Sequence, residues 1–386
     1  MFNLQEYIND LEPLVNIDSG SYEVDGVNQV ASFFAERFQS LGWLIDRVSL
    51  SEAVGELLDM RSNASERYDV LLIGHMDTIF PKGEPQRRPF RQDGRFAYGP
   101  GAADMKCGVL AIWYALKDLP EQAKGLSIRV IMNPDEEIHS KYSTPYIIRA
   151  SAQAEHVFVM EPAMADGAFC IERKGWLGYQ FRFTGISTHA GYRFDRENAS
   201  AIDEMAHWII ALNRLSDRER GTTVNVGKVS GGTAENVVAE HALMGVEFRI
   251  WEKSEAERIK LAVRDLLAHP FIEGVKVEET GHFEKPVLLP SAQTVAFLER
   301  MRRIYAKRDV PFACKRCGGV SDANVAAAYA PIVVDRIGPW GDFNHSEKEY
   351  MRLDSVENAV ELLKDIIEDI AIHATPDGQS EAENVN

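Results

Sequence analysis

A histidine and an aspartate stand two residues apart where a strongly apolar segment ends. The segment is "VLLIGHMDTIFP", in which Val70 to Gly74 are apolar or small and His75 and Asp77 follow. Residues i and i+2 of an extended chain point to the same side, so the two side chains can converge just past the strand. In open α/β sheets, ligands bind at that edge. Taken alone, the pair is also compatible with an ordinary polar turn.

Further acidic residues follow other strand or loop ends. They are Asp104 in the Gly-rich "YGPGAADMKCG", Asp135, Glu136 and Glu137 in "IMNPDEEIHS", and Glu161 in "VFVMEP". Far downstream, "GPWGDFNHSEKEY" supplies His345 in another loop. Without cations, so many carboxylates packed together would repel each other strongly. Two histidines and three carboxylates suffice for two zinc ions with one carboxylate between them.

Strands and helices must alternate to bring these ends together. "YDVLLIG", "LSIRVIMN" and "HVFVM" are short apolar runs that predict strands, and "MKCGVLAIWYALKDL" has helical periodicity. Strands separated by helices predict an α/β fold whose central, mostly parallel sheet is covered by helices on both faces.

Near Lys174 the pattern changes to the alternation of half-exposed strands. The predicted order from there is β-α-β-β-α-β, which is that of a ferredoxin-like module. We therefore expect an inserted ferredoxin-like α+β domain at 176–285, between the two parts, 1–175 and 286–386, of the domain that carries the chemistry. The polar tail from Thr375 is expected to be disordered.

The bulk composition excludes several classes of partner. The 386 residues carry a formal charge of −17, which argues against nucleic acid and against an anionic membrane surface. No apolar stretch reaches the roughly 18 residues of a membrane span, and the first residues do not resemble a signal peptide, so we expect a cytoplasmic protein. Four cysteines are too few for a disulfide framework, and the lone "CKRC" at 314–317 is weak evidence for a structural metal.

Eight motifs in order give the chain a specific resemblance. They are "GHMDTIFP", "YGPGAADMKCG", "NPDEEIHS", "MEP", "STHAG", "GGTAENVV", "GGVSDAN" and "NHSEKEY". In these stretches the chain resembles the M20 family of dinuclear zinc peptidases and deacylases. It is most similar to the glutamate carboxypeptidase (carboxypeptidase G2-like) branch. The resemblance implies a di-zinc catalytic domain with an inserted lid that also dimerises the protein.

The resemblance also implies a metal-ligand set. His75 and Glu161 would bind one zinc, Glu137 and His345 the other, and Asp104 would bridge them. Two Zn²⁺ per subunit are expected, with Co²⁺ or Mn²⁺ as replacements. The peptide bond after Asp104 is expected to be cis.

Two more residues beside these ligands would act in catalysis. The resemblance implies that Asp77 orients His75 and that Glu136 is the general base, since the catalytic glutamate precedes the ligand glutamate in this family. A zinc-bridged hydroxide would attack the amide carbonyl, while Glu136 would carry the proton to the departing amine.

The inserted domain and one loop would supply the remaining contacts. His189 in "STHAG" would reach the partner subunit's site in a homodimer and stabilise the oxyanion; a capping role in its loop is the alternative. Asn236 and Arg249 match positions that grip polar or carboxylate groups, although Arg249 could equally form an ion pair on a strand face. Lys285 stands where glutamate-specific relatives carry a basic residue, and Gly319 in "GGVSDAN" would offer its backbone N–H to a substrate carboxylate.

Three positions depart from the family pattern. Cys107 and His139 stand where glycine is common, and Val320 replaces the third glycine of a "GGGSD" loop. None of them removes a ligand or the base, so the departures bear on the shape of the site and the identity of the substrate.

The expected function is that of a zinc metallopeptidase of the carboxypeptidase type. It would release a C-terminal amino acid, with glutamate as the first candidate, from a small peptide or an N-acyl amino acid. An N-acyl-amino-acid deacylase acting on acetylornithine or succinyl-diaminopimelate is the nearest alternative. A nonhydrolytic binding protein on the same scaffold is a further alternative, against which the complete ligand set and Glu136 argue.

Overall fold

The computed structural model of the chain describes residues 2–374, so the predicted disordered tail lies outside the described residues. Ten helices occur in this range: α1 Leu4–Asn16, α2 Val24–Ser40, α3 Glu84–Arg87, α4 Lys106–Leu116, α5 Thr144–Ser151, α6 Ala201–Asn213, α7 Lys253–Ala268, α8 Ala292–Lys307, α9 Asp322–Ala326 and α10 Val356–His373. Short 3-10 turns occur at Glu121–Gly125, Glu136–Ile138, Ala190–Tyr192 and Leu353–Ser355. None of the helices in residues 2–374 has the length and apolar composition that crossing a membrane requires.

Seventeen strands occur in the same range. They are β1 Leu44–Val48, β2 Leu57–Arg61, β3 Tyr68–His75, β4 Arg91–Gln92, β5 Phe96–Tyr98, β6 Ile128–Asn133, β7 Ala154–Val159, β8 Pro162–Ala163, β9 Phe169–Arg173, β10 Gly175–Thr184, β11 Thr223–Gly231, β12 His241–Ile250, β13 Lys276–Lys285, β14 Cys314–Cys317, β15 Ile332–Asp335, β16 Gly338–Asp342 and β17 Tyr350–Arg352.

The described chain divides into two compact units. The second unit comprises Glu172–Leu288 and Cys317–Val320, and the first comprises the rest. The insertion therefore lies within a few residues of the range 176–285 that the sequence pattern predicts. The "GGV" part of the "GGVSDAN" loop groups with the inserted unit, whereas the sequence analysis placed it in the other domain.

The larger sheet carries the centre of the first unit. Its strand order is β1-β2-β6-β3-β7-β15-β9-β14. Pairing is parallel from β6 through β3 and β7 to β15, and antiparallel where β1, β2 and β9 join. The four parallel strands are almost wholly buried, and for that reason most of their residues are apolar. The α/β class is confirmed, and the antiparallel strands β1 and β2 are additions that the sequence analysis did not predict.

Helix α4 packs closely on the ends of two central strands. All eleven of its residues are buried, which explains why it is apolar on every side. At two places only glycine leaves room for this contact. A Cβ on Gly74 of β3 would lie 2.5 Å from Val109 Cγ1, and a Cβ on Gly108 would lie 2.1 Å from the Met160 carbonyl oxygen. The close approach holds the first turn of α4, and the loop before it, beside the carboxyl ends of β3 and β7.

The second unit is a four-stranded antiparallel sheet with two helices. The strand order is β11-β12-β10-β13, and the chain order is β10-α6-β11-β12-α7-β13, which is the predicted β-α-β-β-α-β sequence. Alternate residues of β10 and β12 are buried in one apolar core with Trp208 of α6. The residues between them therefore lie on the sheet face opposite this core.

We expect Gly108→Ala to destabilise the protein by about 1–3 kcal/mol, because the added methyl group overlaps the Met160 carbonyl oxygen and α4 must move away. Denaturant unfolding of the metal-free protein measures this change. Gly125→Ala is the matched control, since no atom lies within 4 Å of the Cβ it would add. Equal unfolding midpoints for the two variants would contradict the packing argument.

Candidate metal centre

Five potential metal ligands from separate parts of the first unit converge at the carboxyl edge of the parallel strands. They are His75 at the end of β3, Asp104 in the loop before α4, Glu137 in the turn after β6, Glu161 after β7, and His345 between β16 and β17. All of them except His345 are buried. The sequence-predicted ligand set is thus brought together in space, while the metal bound by each residue stays a prediction.

Asp104 lies at the middle of this group. Its Oδ1 is 3.2 Å from His75 Nε2, and its Oδ2 is 3.3 Å from His345 Nε2. On the two flanks, Glu161 Oε1 is 3.8 Å from His75 Nε2, and Glu137 Oε2 is 3.1 Å from His345 Nε2. The two oxygens of Asp104 therefore face different partners. Oδ1 faces the His75–Glu161 pair, and Oδ2 faces the His345–Glu137 pair. This donor set fits two adjacent divalent cations that share Asp104.

Glu136 belongs to the same cluster. A carboxylate oxygen of Glu136 lies within 4.8 Å of the ligand atoms of His75 and Glu161. Glu137, the next residue, offers its oxygen to the other group, with His75 and Asp104. Adjacent residues thus diverge, and Glu136 lies on the His75–Glu161 side of the centre.

The pKa values of these ligands are shifted, and not all in the same direction. Burial, followed by the charge of Asp104, raises the pKa of Glu161 well above its ordinary value. Burial also raises the pKa of Glu137. The pKa of Asp104 is lowered, because hydrogen bonds from His345 and His75 outweigh its burial. Hydrogen bonds to Asp104 and Glu137 raise the pKa of His345 to about 11. In the metal-free protein Glu161 and His345 therefore retain protons that bound cations would displace.

Asp77 holds two of the converging segments together. It is fully buried, and its Oδ1 and Oδ2 accept hydrogen bonds from the backbone N–H groups of Glu136 and Glu137, each at 3.1 Å. His75 Nδ1 lies 3.0 Å from the Asp77 carbonyl oxygen and 3.2 Å from its Oδ1. A proton on Nδ1 is satisfied by these oxygens, so Nε2 is the nitrogen left to face a metal.

Asp135, the first carboxylate of "DEE", supports the local backbone, and His139 has a left-handed backbone conformation. Asp135 Oδ2 accepts the backbone N–H of Tyr142 at 2.6 Å, so that oxygen supports the next turn of chain. His139, where related sequences carry glycine, has a φ of 67°. Glycine adopts this left-handed conformation at little cost, which explains the family preference. The Asp104–Met105 peptide bond is cis, as the resemblance implied.

In the second unit, His189 and Asn236 lie on paired segments. Ala190 N donates to the Asn236 carbonyl oxygen at 2.9 Å, and His189 forms a β-bridge with Val237. His189 Nδ1 accepts the Gly191 N–H at 3.1 Å, which is the capping contact considered as the alternative role. That contact places the proton on Nε2 and leaves an exposed imidazole with an outward N–H donor.

Arg249 and Lys285 lie in one row across the second sheet. Trp176 pairs with Arg249 on one side and with Lys285 on the other, so the three side chains share the face opposite the core. Arg249 forms an ion pair with Glu247 at 2.9 Å, which is the strand-face interaction considered as its alternative role. Lys285 is buried. The Gly319 carbonyl oxygen accepts from Arg173 Nη1 at 3.0 Å.

Sequence reasoning missed residues that contact the cluster through their side chains. Ser21 Oγ donates to Asp77 Oδ2 at 2.7 Å, and Asn344 Nδ2 donates to Asp104 Oδ2 at 3.0 Å. Asn344 stands directly before His345, so its position in the "NHSEKEY" motif was a usable signal. Ser21 is 56 residues from Asp77, and no local pattern links the two.

Comparisons with known proteins agree with this geometry. The family model described as peptidase family M20/M25/M40 matches residues 71–369. Carboxypeptidase G2 of Pseudomonas sp. (strain RS-16) is 25% identical, over 94% of this chain and 89% of that protein. A succinyl-diaminopimelate desuccinylase of Bordetella petrii is 28% identical, over 88% and 91%. Among solved structures, a tripeptidase of Staphylococcus aureus has a TM-score of 0.72 at 20% identity, covering 97% of this chain and all of that one.

We expect divalent metals to bind with release of protons, because the pKa values of His345 and Glu161 are raised in the metal-free protein. As pH rises, fewer protons compete, so the apparent affinity should increase by about tenfold per pH unit for each proton released. Calorimetric titration with Zn²⁺ at pH 6, 7 and 8, in buffers of different ionisation enthalpy, counts these protons. An affinity that does not change over this range would contradict the assignment.

Proposed function

The chain belongs to peptidase family M20/M25/M40, and from this premise we propose that it is a metal-dependent amide hydrolase of the carboxypeptidase type. It releases a C-terminal amino acid from a small peptide or an N-acyl amino acid. The observation that carries the proposal is the convergence of five metal ligands about Asp104, with Glu136 within 4.8 Å of His75 and Glu161. We place the activity in the cytoplasm, where the few cysteines of this chain stay reduced.

We propose that two divalent cations occupy this centre, with zinc as the first candidate and Co²⁺ or Mn²⁺ as replacements. His75 and Glu161 would hold one cation, Glu137 and His345 would hold the other, and Asp104 would contact both. When bound, such cations polarise the scissile carbonyl and lower the pKa of water.

Glu136 is the general base in this proposal. Its carboxylate accepts a proton from the attacking water, whose oxygen forms the new bond to the amide carbon. It then returns the proton to the departing nitrogen as the C–N bond breaks, which yields a carboxylic acid and a free amine. Asp77 supports this role, because it holds the backbone N–H groups of Glu136 and Glu137.

His189 stabilises the negative charge that develops on the carbonyl oxygen. Its Nδ1 is occupied by Gly191 N–H, so Nε2–H is the donor available for an oxyanion. We propose that it acts in the partner subunit of a homodimer formed through the second unit. Strand β11 lies at the edge of its sheet with mostly exposed residues, and α6 exposes Ile210. Sedimentation of the active enzyme as a monomer alone would exclude this arrangement.

The substrate carries a free carboxylate next to the scissile amide. Arg249 and Lys285 share one sheet face beside Trp176, and burial together with the charge of Arg249 lowers the pKa of nearby Lys174. A guanidinium suits bidentate capture of a carboxylate. We propose that Asn236 and the Gly319 N–H add hydrogen bonds to the same substrate, and that glutamate is the first candidate for the released residue.

An N-acyl-amino-acid deacylase is the second candidate. The similarity to a succinyl-diaminopimelate desuccinylase over most of both chains favours it. Relative kcat/KM values on folate-type, acyl-glutamate, acyl-ornithine and succinyl-diaminopimelate substrates separate the two activities.

We expect Glu136→Ala to lower kcat by about 10²–10⁴-fold, because the base is lost while all five ligands remain. Metal content should stay that of the unaltered protein, and elemental analysis of both proteins checks this. Asp135→Asn is a neighbouring control, since Asp135 supports Tyr142 N–H outside the ligand set. Near-normal turnover by the Glu136→Ala variant would contradict its assignment as the base.

We expect conversion of the substrate carboxylate to an amide to lower kcat/KM by about 100-fold or more, because a cationic side chain loses its partner. Arg249→Ala should remove most of the difference in kcat/KM between the free-acid substrate and its amide. Arg182→Ala is the matched control, since Arg182 lies on the same face of β10 but away from this row. Equal hydrolysis of acid and amide by the unaltered enzyme would contradict the carboxylate contact.

A further inference from the structure

Glu349 is a fully buried carboxylate that the proposed mechanism does not use. It precedes β17 and stands four residues after His345. It accepts three backbone hydrogen bonds from one loop: Oε1 from Ala103 N at 2.9 Å and from Asp104 N at 3.1 Å, and Oε2 from Gly101 N at 3.4 Å. Burying a carboxylate lowers the free energy of unfolding unless hydrogen bonds such as these offset the loss of its hydration.

The three N–H groups that Glu349 accepts are not bonded to carbonyl oxygens of their own loop. Within it, Ala102 N bonds to the Gly99 carbonyl oxygen and Lys106 N to the Gly101 carbonyl oxygen, whereas Gly101, Ala103 and Asp104 direct their N–H groups at Glu349. Gly101 has a φ of 75°, and a Cβ there would lie 2.7 Å from Thr78 Cγ2. The backbone therefore forms an anion-binding concavity that is filled by a side chain from another loop.

Lys106 supplies a positive charge near this carboxylate. It is fully buried, and its Nζ donates to the Ile17 carbonyl oxygen at 2.9 Å. Burial lowers the pKa of Lys106 to about 7, and the charge of Glu349 opposes that shift. Burial, followed by the charge of Asp104, raises the pKa of Glu349 to about 7, and the backbone hydrogen bonds from Asp104, Ala103 and Gly101 oppose that shift.

The loop that carries Glu349 also reaches the other side of Asp104. Asn344 Nδ2 donates to Asp104 Oδ2 at 3.0 Å, and His345 Nε2 lies 3.3 Å from the same oxygen. Glu349 binds the backbone of Asp104 while these two residues contact its carboxylate. One loop therefore determines where Asp104 sits relative to the His345 imidazole.

We propose that Glu349 is a positioning residue that fixes Asp104 against His345, and so sets the affinity of the cation held between them. This inference rests on the metal-dependent hydrolysis proposed above. Glu349 acts through the backbone of Asp104 and does not touch the metal or the substrate. Residues that orient metal ligands in this way typically change metal affinity or activity by 10–100-fold when mutated.

The test is Co²⁺ titration of Glu349→Gln, followed by visible absorption, which reports the coordination geometry as well as affinity. The amide keeps the size of the side chain but replaces one accepting oxygen with a donor. We expect one of the two Co²⁺ binding steps to weaken by about 10–100-fold with a changed spectrum. We also expect kcat at saturating metal to fall more than KM changes.

Asp59→Asn is the matched control, since Asp59 is another buried carboxylate of the first unit, bonded to Arg129 and Tyr146. It should lower stability without altering the Co²⁺ spectrum or affinity. A Glu349→Gln variant with unchanged Co²⁺ affinity and spectrum would overturn the inference and leave the proposed function intact. If the unaltered protein binds no Co²⁺, both fail together.

A second measurement does not depend on the folding of a variant. Amide hydrogen exchange of the metal-free, unaltered protein should show strong protection of the Ala103 and Asp104 N–H groups, because Glu349 alone accepts them. Rapid exchange at these two amides, beside protected amides in α4, would overturn the proposal.

Discussion

The burial of three carboxylates around one point is the constraint on which the rest of this protein depends. Asp104, Glu137 and Glu161 lie among two imidazoles, and their repulsion splits their pKa values, lowering one and raising two. Protons relieve that repulsion only in part. Bound divalent cations would offset it further, and the surrounding structure keeps the five potential ligands close in spite of their mutual repulsion.

These ligands are positioned in two different ways. Parallel strands end at one edge, so β3 and β7 present His75 and Glu161 directly at their carboxyl ends, and Glu137 lies in the turn after β6 that Asp77 holds. Asp104 and His345 come instead from loops, and the Asp104 loop is held by tight glycine contacts under α4 and by Glu349, which accepts its backbone N–H groups. Carboxylates therefore have two roles in this site: some face the metals, and others, such as Asp77, hold the chain that carries them.

In the second unit, the existing hydrogen bonds and ion pairs of Arg249 and His189 limit the roles that these side chains can have. Arg249 is paired with Glu247, and Trp176 Nε1 donates to the same Glu247 at 3.0 Å, so a substrate carboxylate would share or displace an existing contact. His189 is capped on one nitrogen, which leaves the other as a donor of defined protonation. In both cases the alternative role suggested by the sequence is present, and it shapes the proposed chemical role without removing it.

The sequence by itself determined the class of fold, the inserted β-α-β-β-α-β unit and the candidate ligands, because apolar runs, their periodicity and the polar residues at their ends are local patterns. Local pattern alone did not separate the roles of Asp135, Glu136 and Glu137, which came from the family resemblance, since neighbouring residues of one type diverge only when the turn is built. It also missed Ser21, Asn344 and Glu349. Their partners are distant in sequence, 245 residues away for Glu349 and Asp104, so only the tertiary structure brings the donor and acceptor of each hydrogen bond together.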